Sequence, residues 1–441
     1  MTSCTLFEFD SVVAVGKGAT GHAVPPQVFS WLESQCFTED DGAPSWLKVS
    51  RRGTLKAIRF SNYAGVIRAP CGFQIEVLPK IGKHDSAAEA RTRLVEMLQC
   101  LAEFRHIKLA NARLATVRMP LLEVFIRQFL DDVSAMLKRG LRSDYLVQEG
   151  NLPALRGKLI IGQHLAKNLV RPDRFYTQHD EFSQNRAENR LIHSALRIAL
   201  AACKSFENQR LARELCFVFA DVPQSSDVPS DLGRVQLGRG MRYYGAALDW
   251  AKLILEKMSP VVGTGLQHAQ SLLFPMEVLF EAFVRKQLTR QLKEKYFLDA
   301  QSSRHHLVTH RDEHWFKLKP DLLVRDRHNT HIVLDTKWKL LNAAKDNARE
   351  KYQLSQSDFY QLYAYGHHYL DGQGAIVLIY PKTDAFLLPL KTFAFPKNSG
   401  MHLWVLPFCI STSTLILPET GQLDRFFERP SRPQETRKLY P

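Results

Sequence analysis

The sequence predicts an α/β chain, α+β overall, in which a C-terminal β-sheet flanked by helices follows a β-rich N-terminal domain and a mainly helical middle region. Three observations carry this. Residues 269–412 run in the order helix, strand, strand, helix, strand. Residues 116–268 place apolar side chains at helical spacing. Residues 1–115 hold short β-like runs separated by turn-prone residues. The last segment, 413–441, ends in a basic, proline-rich tail.

In the N-terminal region, residues 47–49, 57–60, 65–67 and 73–78 read as strands. Residues 25–32 read as a helix opened by Pro25 and Pro26, and residues 87–105 as a longer one. The run from Val12 to Gly21 fits a strand followed by G-x-G-x-x-G, the pattern of a phosphate-binding turn. Pro25 and Pro26 interrupt the helix such a turn needs, and no Gly-Lys-Ser/Thr follows. The run is read as a glycine-rich hairpin or loop, and the chain is expected to bind no nucleotide. In the middle region, Leu121–Leu137 and residues 189–204 read as amphipathic helices. Residues 222–239, rich in Pro, Ser, Asp and Gly, read as a loop.

The C-terminal elements carry the chemistry. Residues 275–284 read as a helix opened by Pro275, with Glu277 and Glu281 on one face. Residues 318–324 and 331–334 read as neighbouring strands joined by a polar turn. Pro320 lacks a backbone N–H and belongs at a strand start or edge, which displays Asp321 near a strand end. Strand alternation sets Asp335 and Lys337 on one face and Thr336 on the other. Residues 355–369 read as a helix with Gln361 and Tyr365 on one face and Asp358 a turn earlier. The apolar run 376–380, ended by Pro381, reads as a buried strand.

Mg²⁺ is a hard cation that prefers oxygen ligands. Asp321 and Asp335 supply carboxylates and the Thr336 carbonyl a third oxygen, with Mn²⁺ an acceptable substitute. Lys337 would orient or deprotonate a water, or offset charge on phosphorus. Asp335 and Lys337 are expected at a strand rim, outside the core. The bland alternative is a hairpin with exposed charges and a surface ion pair. His305, His306, His310 and His314 flank these strands without the glutamate of a zinc-protease motif, and are read as exposed or DNA-facing.

The order Glu helix, Pro320-Asp321, Asp335-Thr336-Lys337, then Gln361-x-x-x-Tyr365 resembles the PD-(D/E)xK nuclease superfamily, in its branch with a Q-x-x-x-Y helix. The resemblance covers about residues 270–410 and implies a restriction-endonuclease-like mixed sheet. It implies that Asp321 and Asp335 are metal ligands, Lys337 the catalytic lysine, and Gln361 and Tyr365 a supporting pair near DNA. Glu281 is implied as the acid of the first core helix, preferred over Glu277 because residues 279–284 better match the family pattern. Upstream, Gly65-Val66-Ile67-Arg68, the run Ile75 to Ile81, the run Leu152 to Lys158, and the run Asp180 to Arg190 resemble the McrC family. McrC is the nuclease subunit of McrBC modification-dependent restriction systems. The likeness extends over about residues 60–410. It implies a partner, an McrB-like AAA+ GTPase ring that reads modified double-stranded DNA. It also implies that the N-terminal half docks on that ring and stimulates its hydrolysis.

Composition agrees. The 441 residues carry a formal net charge of +14, which suits a polyanionic partner. Seven scattered cysteines without C-x-x-C exclude a zinc ribbon or disulfide scaffold and suit a reducing cytoplasm. The N-terminus lacks the basic start and apolar stretch of a signal peptide. No apolar run reaches spanning length, so no membrane association is expected. Two other functions stay open: a non-catalytic adaptor bridging an AAA+ ring and DNA, and a stand-alone RecB-like repair nuclease.

Overall fold

The computed structural model describes residues 3–15, 22–36, 46–81, 86–101, 119–257, 270–396 and 398–428. They divide into two compact units, Met1–Arg105 with Leu273–Pro441, and His106–Leu272.

The first unit is built on a mixed sheet. Its strands lie in the order Phe297–Ala300, Leu322–Arg325, Thr330–Thr336, Gly374–Pro381, Asn398–Cys409, Phe393–Phe395. The first three pair antiparallel. Thr330–Thr336, Gly374–Pro381 and Asn398–Cys409 are parallel neighbours, and Phe393–Phe395 returns antiparallel. A parallel pair needs a crossover, and helix Gln356–Leu370 supplies it between Thr336 and Gly374. Ile376 to Tyr380 are fully buried, which is why this strand reads as one apolar run with no alternation. Gly366 lets the helix approach the sheet: a Cβ there would meet the Met401 sulfur at 2.2 Å and Ile376 Cδ1 at 2.7 Å. Helix Met276–Gln291 follows Pro275 as its N-cap and buries Phe280, Phe283 and Leu288.

The expected strand over 318–324 is two strands in different sheets. Glu313–Leu318 pairs with His305–His310 in a separate two-stranded hairpin, and Leu322–Arg325 joins the core sheet. Pro320, unable to donate to a ladder, sits in the break. The N-terminal strands belong to this unit as well. Ser3–Phe7, Gln74–Leu78 and Tyr63–Arg68 are neighbours in one sheet, and His22–Val24, Ser11–Ala14, Leu55–Phe60 and Leu47–Arg52 form another. Gly16, Gly18 and Gly21 lie outside the described residues. The strands on either side of them, Ser11–Ala14 and His22–Val24, pair in parallel.

The second unit is mainly helical, as expected. Leu121–Leu137, Ala187–Ala202, Phe206–Val218 and Gly245–Lys257 are its longer helices. The segment read as a loop contains helix Val228–Arg234. Its signal was the Asp227 side chain, which accepts from Ser230 N–H, followed by a proline in the first turn. The Asn189-Arg190 pair proves structural. The buried Asn189 amide donates to the carbonyls of Arg142 and Gln184 and accepts from Tyr244 Oη, at 2.8–2.9 Å. Arg190 grips Asp231 with two donors, at 2.9 and 2.5 Å. A small three-stranded sheet, in the order Asp144–Leu152, Phe175–Ser183, Lys158–Leu159, completes the unit.

Gly157, at φ +73°, lies where an alanine Cβ would sit 2.3 Å from the Gln178 carbonyl oxygen and 2.8 Å from His179 Cα. Both obstacles are backbone and cannot move aside. Gly157→Ala is expected to destabilise this unit by about 2–4 kcal/mol, summing the left-handed penalty and the overpacking. Urea unfolding of the full chain measures it, and an unchanged midpoint would contradict this reading of the turn.

Candidate active site

Asp335 and Thr336 end the strand Thr330–Thr336, and Lys337 follows at once. Alternation brings the Lys337 ammonium back to Asp335, with Nζ 2.6 Å from Oδ2. Thr336 bonds Asp321. The Asp321 Oδ2 accepts from the Thr336 backbone N–H at 2.7 Å and from its hydroxyl at 2.8 Å. The two acids are thus fixed by one strand end, one through a lysine and the other through a threonine.

The expectation of a rim position fails for Asp335, which is 1% exposed. Its strand is flanked on both sides, and Leu378 of the neighbouring parallel strand stands in register with it. Burial pushes its carboxyl pKa above the ordinary range, and the Asp321 charge adds to the rise; Lys337 opposes both. Burial also works against the Lys337 charge, but the carboxylates of Asp335 and Asp321 outweigh it and raise the amine pKa. Among the described residues no hydrogen-bond donor reaches Asp335 Oδ1, which is buried. Such an atom asks for a cation or an ordered water.

Glu281, half-buried on helix Met276–Gln291, accepts from Gln301 Nε2 at 3.2 Å, and Gln301 N–H donates to the Asp321 carbonyl at 2.9 Å. Burial raises the Glu281 pKa and the Asp321 charge raises it further. Glu277 is exposed and lines a cleft of about 510 Å³ together with Arg59, Lys337, Lys339, Ser355 and Asp358. Gln361 Nε2 donates to Tyr365 Oη at 2.6 Å, and Tyr365 Oη donates to the Lys319 carbonyl at 2.9 Å. The helix face predicted from spacing therefore props the backbone just before Pro320 and Asp321.

The donor set fits a hard divalent cation. Among the described residues no three acid, histidine or cysteine side chains close on one point. A closed cage such as structural zinc requires is therefore not formed by them, whereas Mg²⁺ is commonly held by one or two carboxylates plus water and substrate oxygens. Of the basic residues after the strand, Lys345 is paired with Glu350 at 3.0 Å and Lys339 donates to the Gln353 carbonyl. Arg349 and Lys351 are exposed.

One residue at the site carried no sequence signal. Glu8, fully buried, accepts from the Trp338 indole N–H at 3.0 Å, one residue after Lys337, and from Lys80 N–H at 3.4 Å. Trp338 also packs on Phe280, with ring centroids 5.3 Å apart. Burial pushes the Glu8 pKa up to about 8 against both hydrogen bonds. Between its ordinary value of 4.5 and about 8, the folded chain holds a proton on Glu8 that the unfolded chain has lost. Stability must therefore fall as pH rises through that window and level off above it. The slope is at most about 1.4 kcal/mol per pH unit. Glu8→Gln should flatten that part of the curve. Thermal unfolding from acid to mildly alkaline pH tests this, and equal slopes in both proteins would refute it.

Against known proteins, residues 58–381 match the family described as McrBC 5-methylcytosine restriction system component. No curated protein matches the chain. The fold is similar to a chain in a half-complex from a tetradecameric assembly of Thermococcus gammatolerans McrB AAA+ hexamers with bound McrC. The TM-score is 0.65 at 19% identity, covering 94% of this chain and 97% of that one. A chain of the Thermococcus gammatolerans McrBC complex is similar at TM-score 0.49 and 20% identity, over 66% of this chain and 88% of that one.

Proposed function

This chain belongs to the McrBC 5-methylcytosine restriction-system family, and we propose that it is the nuclease subunit of such a system, a Mg²⁺-dependent endonuclease that cuts DNA phosphodiesters. The observation that supports this most is the pairing of two acids at one strand end, one of them buried with a bare oxygen and a lysine 2.6 Å away. A surface ion pair would not place an acid at 1% exposure. A merely structural buried pair would satisfy both carboxylate oxygens.

Asp321, Asp335 and the Thr336 carbonyl would hold the cation, with Glu281 behind Asp321. Mg²⁺ bound there would acidify water and polarise the phosphodiester. Thr336 fixes the rotamer of Asp321 through two hydrogen bonds. Lys337, 2.6 Å from Asp335, would orient or deprotonate water or neutralise charge developing on phosphate oxygens. Gln361 and Tyr365 hold the Lys319 carbonyl and so set the position of Asp321.

The partner in this reading is an McrB-like AAA+ GTPase ring; the similar Thermococcus gammatolerans assembly holds McrB AAA+ hexamers with bound McrC. That ring would read modified double-stranded DNA, and this chain would stimulate its hydrolysis and make the cut. Among the described residues no helix is long and apolar enough to cross a membrane. A cytoplasmic location goes with the reading.

Asp335→Asn and Lys337→Ala should each lower cleavage by about a thousandfold or more while the chain stays folded and bound to the ring. Cleavage of modified DNA by the reconstituted complex, with circular dichroism of each variant, is the measurement. Cutting by Asp335→Asn at the wild-type rate would end the proposal. The site should also run on Mg²⁺ or Mn²⁺ and poorly on Ca²⁺, which takes more ligands at longer distances. Equal turnover in Ca²⁺ would count against it.

A further inference from the structure

The hairpin formed by His305–His310 and Glu313–Leu318 takes no part in the site described above, yet it runs directly into Lys319-Pro320-Asp321. Its two-residue loop, Arg311-Asp312, has both φ values positive, +49° and +65°, the tight turn that matches strand twist. Its base is clamped. Tyr369 Oη donates to the Leu318 carbonyl at 3.0 Å and to the Ser302 carbonyl at 3.2 Å, and the His305 ring packs edge-on against Tyr369 at 4.6 Å. Beyond that base every residue over 307–317 is exposed.

The exposed part has features that point outward. Phe316 is 69% exposed; Trp315 is 44% exposed, packed on His310 at 4.7 Å and donating its indole N–H to Glu313 at 3.2 Å. Phe316 also holds φ +57°, a left-handed backbone that a bulky residue adopts only at a cost. Phe316 lies between the pairs His306–Lys317 and Val308–Trp315, in a register that runs through unshifted. Folding gains little from this ring, which among the described residues has an aromatic contact only with Trp315, at 6.5 Å. The charge leans positive: over residues 304–319, Arg304, Arg311, Lys317 and Lys319 outnumber Asp312 and Glu313, with Arg304 paired to Asp299 at 3.4 Å, and four histidines accompany them.

We propose that this hairpin is a DNA-contacting finger that grips the duplex beside the cut, with Phe316 and Trp315 set against base edges or steps and Arg311 and Lys317 on phosphates. The proposal rests on the reading that this chain cuts DNA. A basic, aromatic-tipped projection fits a polyanion with π-faces, and a protein partner has no need of the positive charge. Six strand residues reach about 20 Å, so DNA held at Asp321 lies within its span. Strain kept at an exposed ring is what a ligand contact would repay.

The test uses the full chain, a fluorescein-labelled duplex and EDTA, so that binding is read by anisotropy without cleavage. Phe316→Gly is the decisive variant, because glycine accepts the left-handed backbone and keeps the hairpin while removing the ring. Its melting temperature should match or exceed the wild type, while DNA affinity falls about tenfold. Trp315→Ala should weaken binding similarly. Arg311→Ala should lower the slope of log affinity against log salt by about one. If the wild type binds DNA and all three variants bind equally well, the finger is wrong and the nuclease reading stands. If they lose self-association and keep DNA affinity, the hairpin is a contact between copies and the proposal falls. A wild type that binds no DNA even at low salt overturns both readings.

Discussion

Asp335 carries its carboxyl at the covered end of a parallel strand, and the surrounding structure answers that placement. An unpaired ion in such a position costs several kcal/mol, so it either neutralises itself or acquires a counter-charge. Here both tendencies are present. Burial and the Asp321 charge raise its pKa, and Lys337 comes within 2.6 Å to hold it down. Because Lys337 is only two residues on, its backbone must be fixed for the pair to last. Its N–H donates to the Ile379 carbonyl at 2.9 Å, and the next side chain, Trp338, is locked between Phe280 and Glu8.

That lock joins distant parts of the sequence. Glu8 and Trp338 are 330 positions apart, and Met276 N–H donates to the Asn62 carbonyl at 2.8 Å, so the N-terminal strands help build the first unit. Arg59 and Lys337 line one cleft. Glu8, in the turn that follows Ser3–Phe7, ties those strands to Trp338, the residue after the lysine. On the proposed reading, this gives a ring bound elsewhere on the chain a physical route to the site.

Much of this was legible because local chemistry dictated it. The Leu121–Leu137 helix follows from apolar spacing alone. The Asp335–Lys337 contact follows from strand alternation, and the Gln361–Tyr365 bond from a separation of four on a helix. What escaped depends on partners that no local pattern encodes. Asp335 is buried in a strand that residues 374–381 pair in parallel, and an acid at a strand end looks the same whether covered or bare. Glu8 looks like any polar residue beside a short strand until Trp338 arrives. The break at Pro320 was visible, but that it separates two sheets was not, since Leu318 and Leu322 are equally apolar. Asp227 and the proline after it announced a helix within a stretch whose composition suggested only loop.

Sequences that specify one fold usually agree with themselves at every level, and departures gather where function requires them. The first unit departs twice within a short span, once at the left-handed Phe316 and once at the buried Asp335. The two lie on either side of Pro320 and Asp321, and each is held in place from outside. Tyr369 clamps the hairpin, and Thr336 and Lys337 fix the acids. Tyr365 and Tyr369 stand one turn apart on the same helix and bond the Lys319 and Leu318 carbonyls. A single helix face therefore sets both the hairpin base and the approach to Asp321, so a shift of that helix would move finger and acids together.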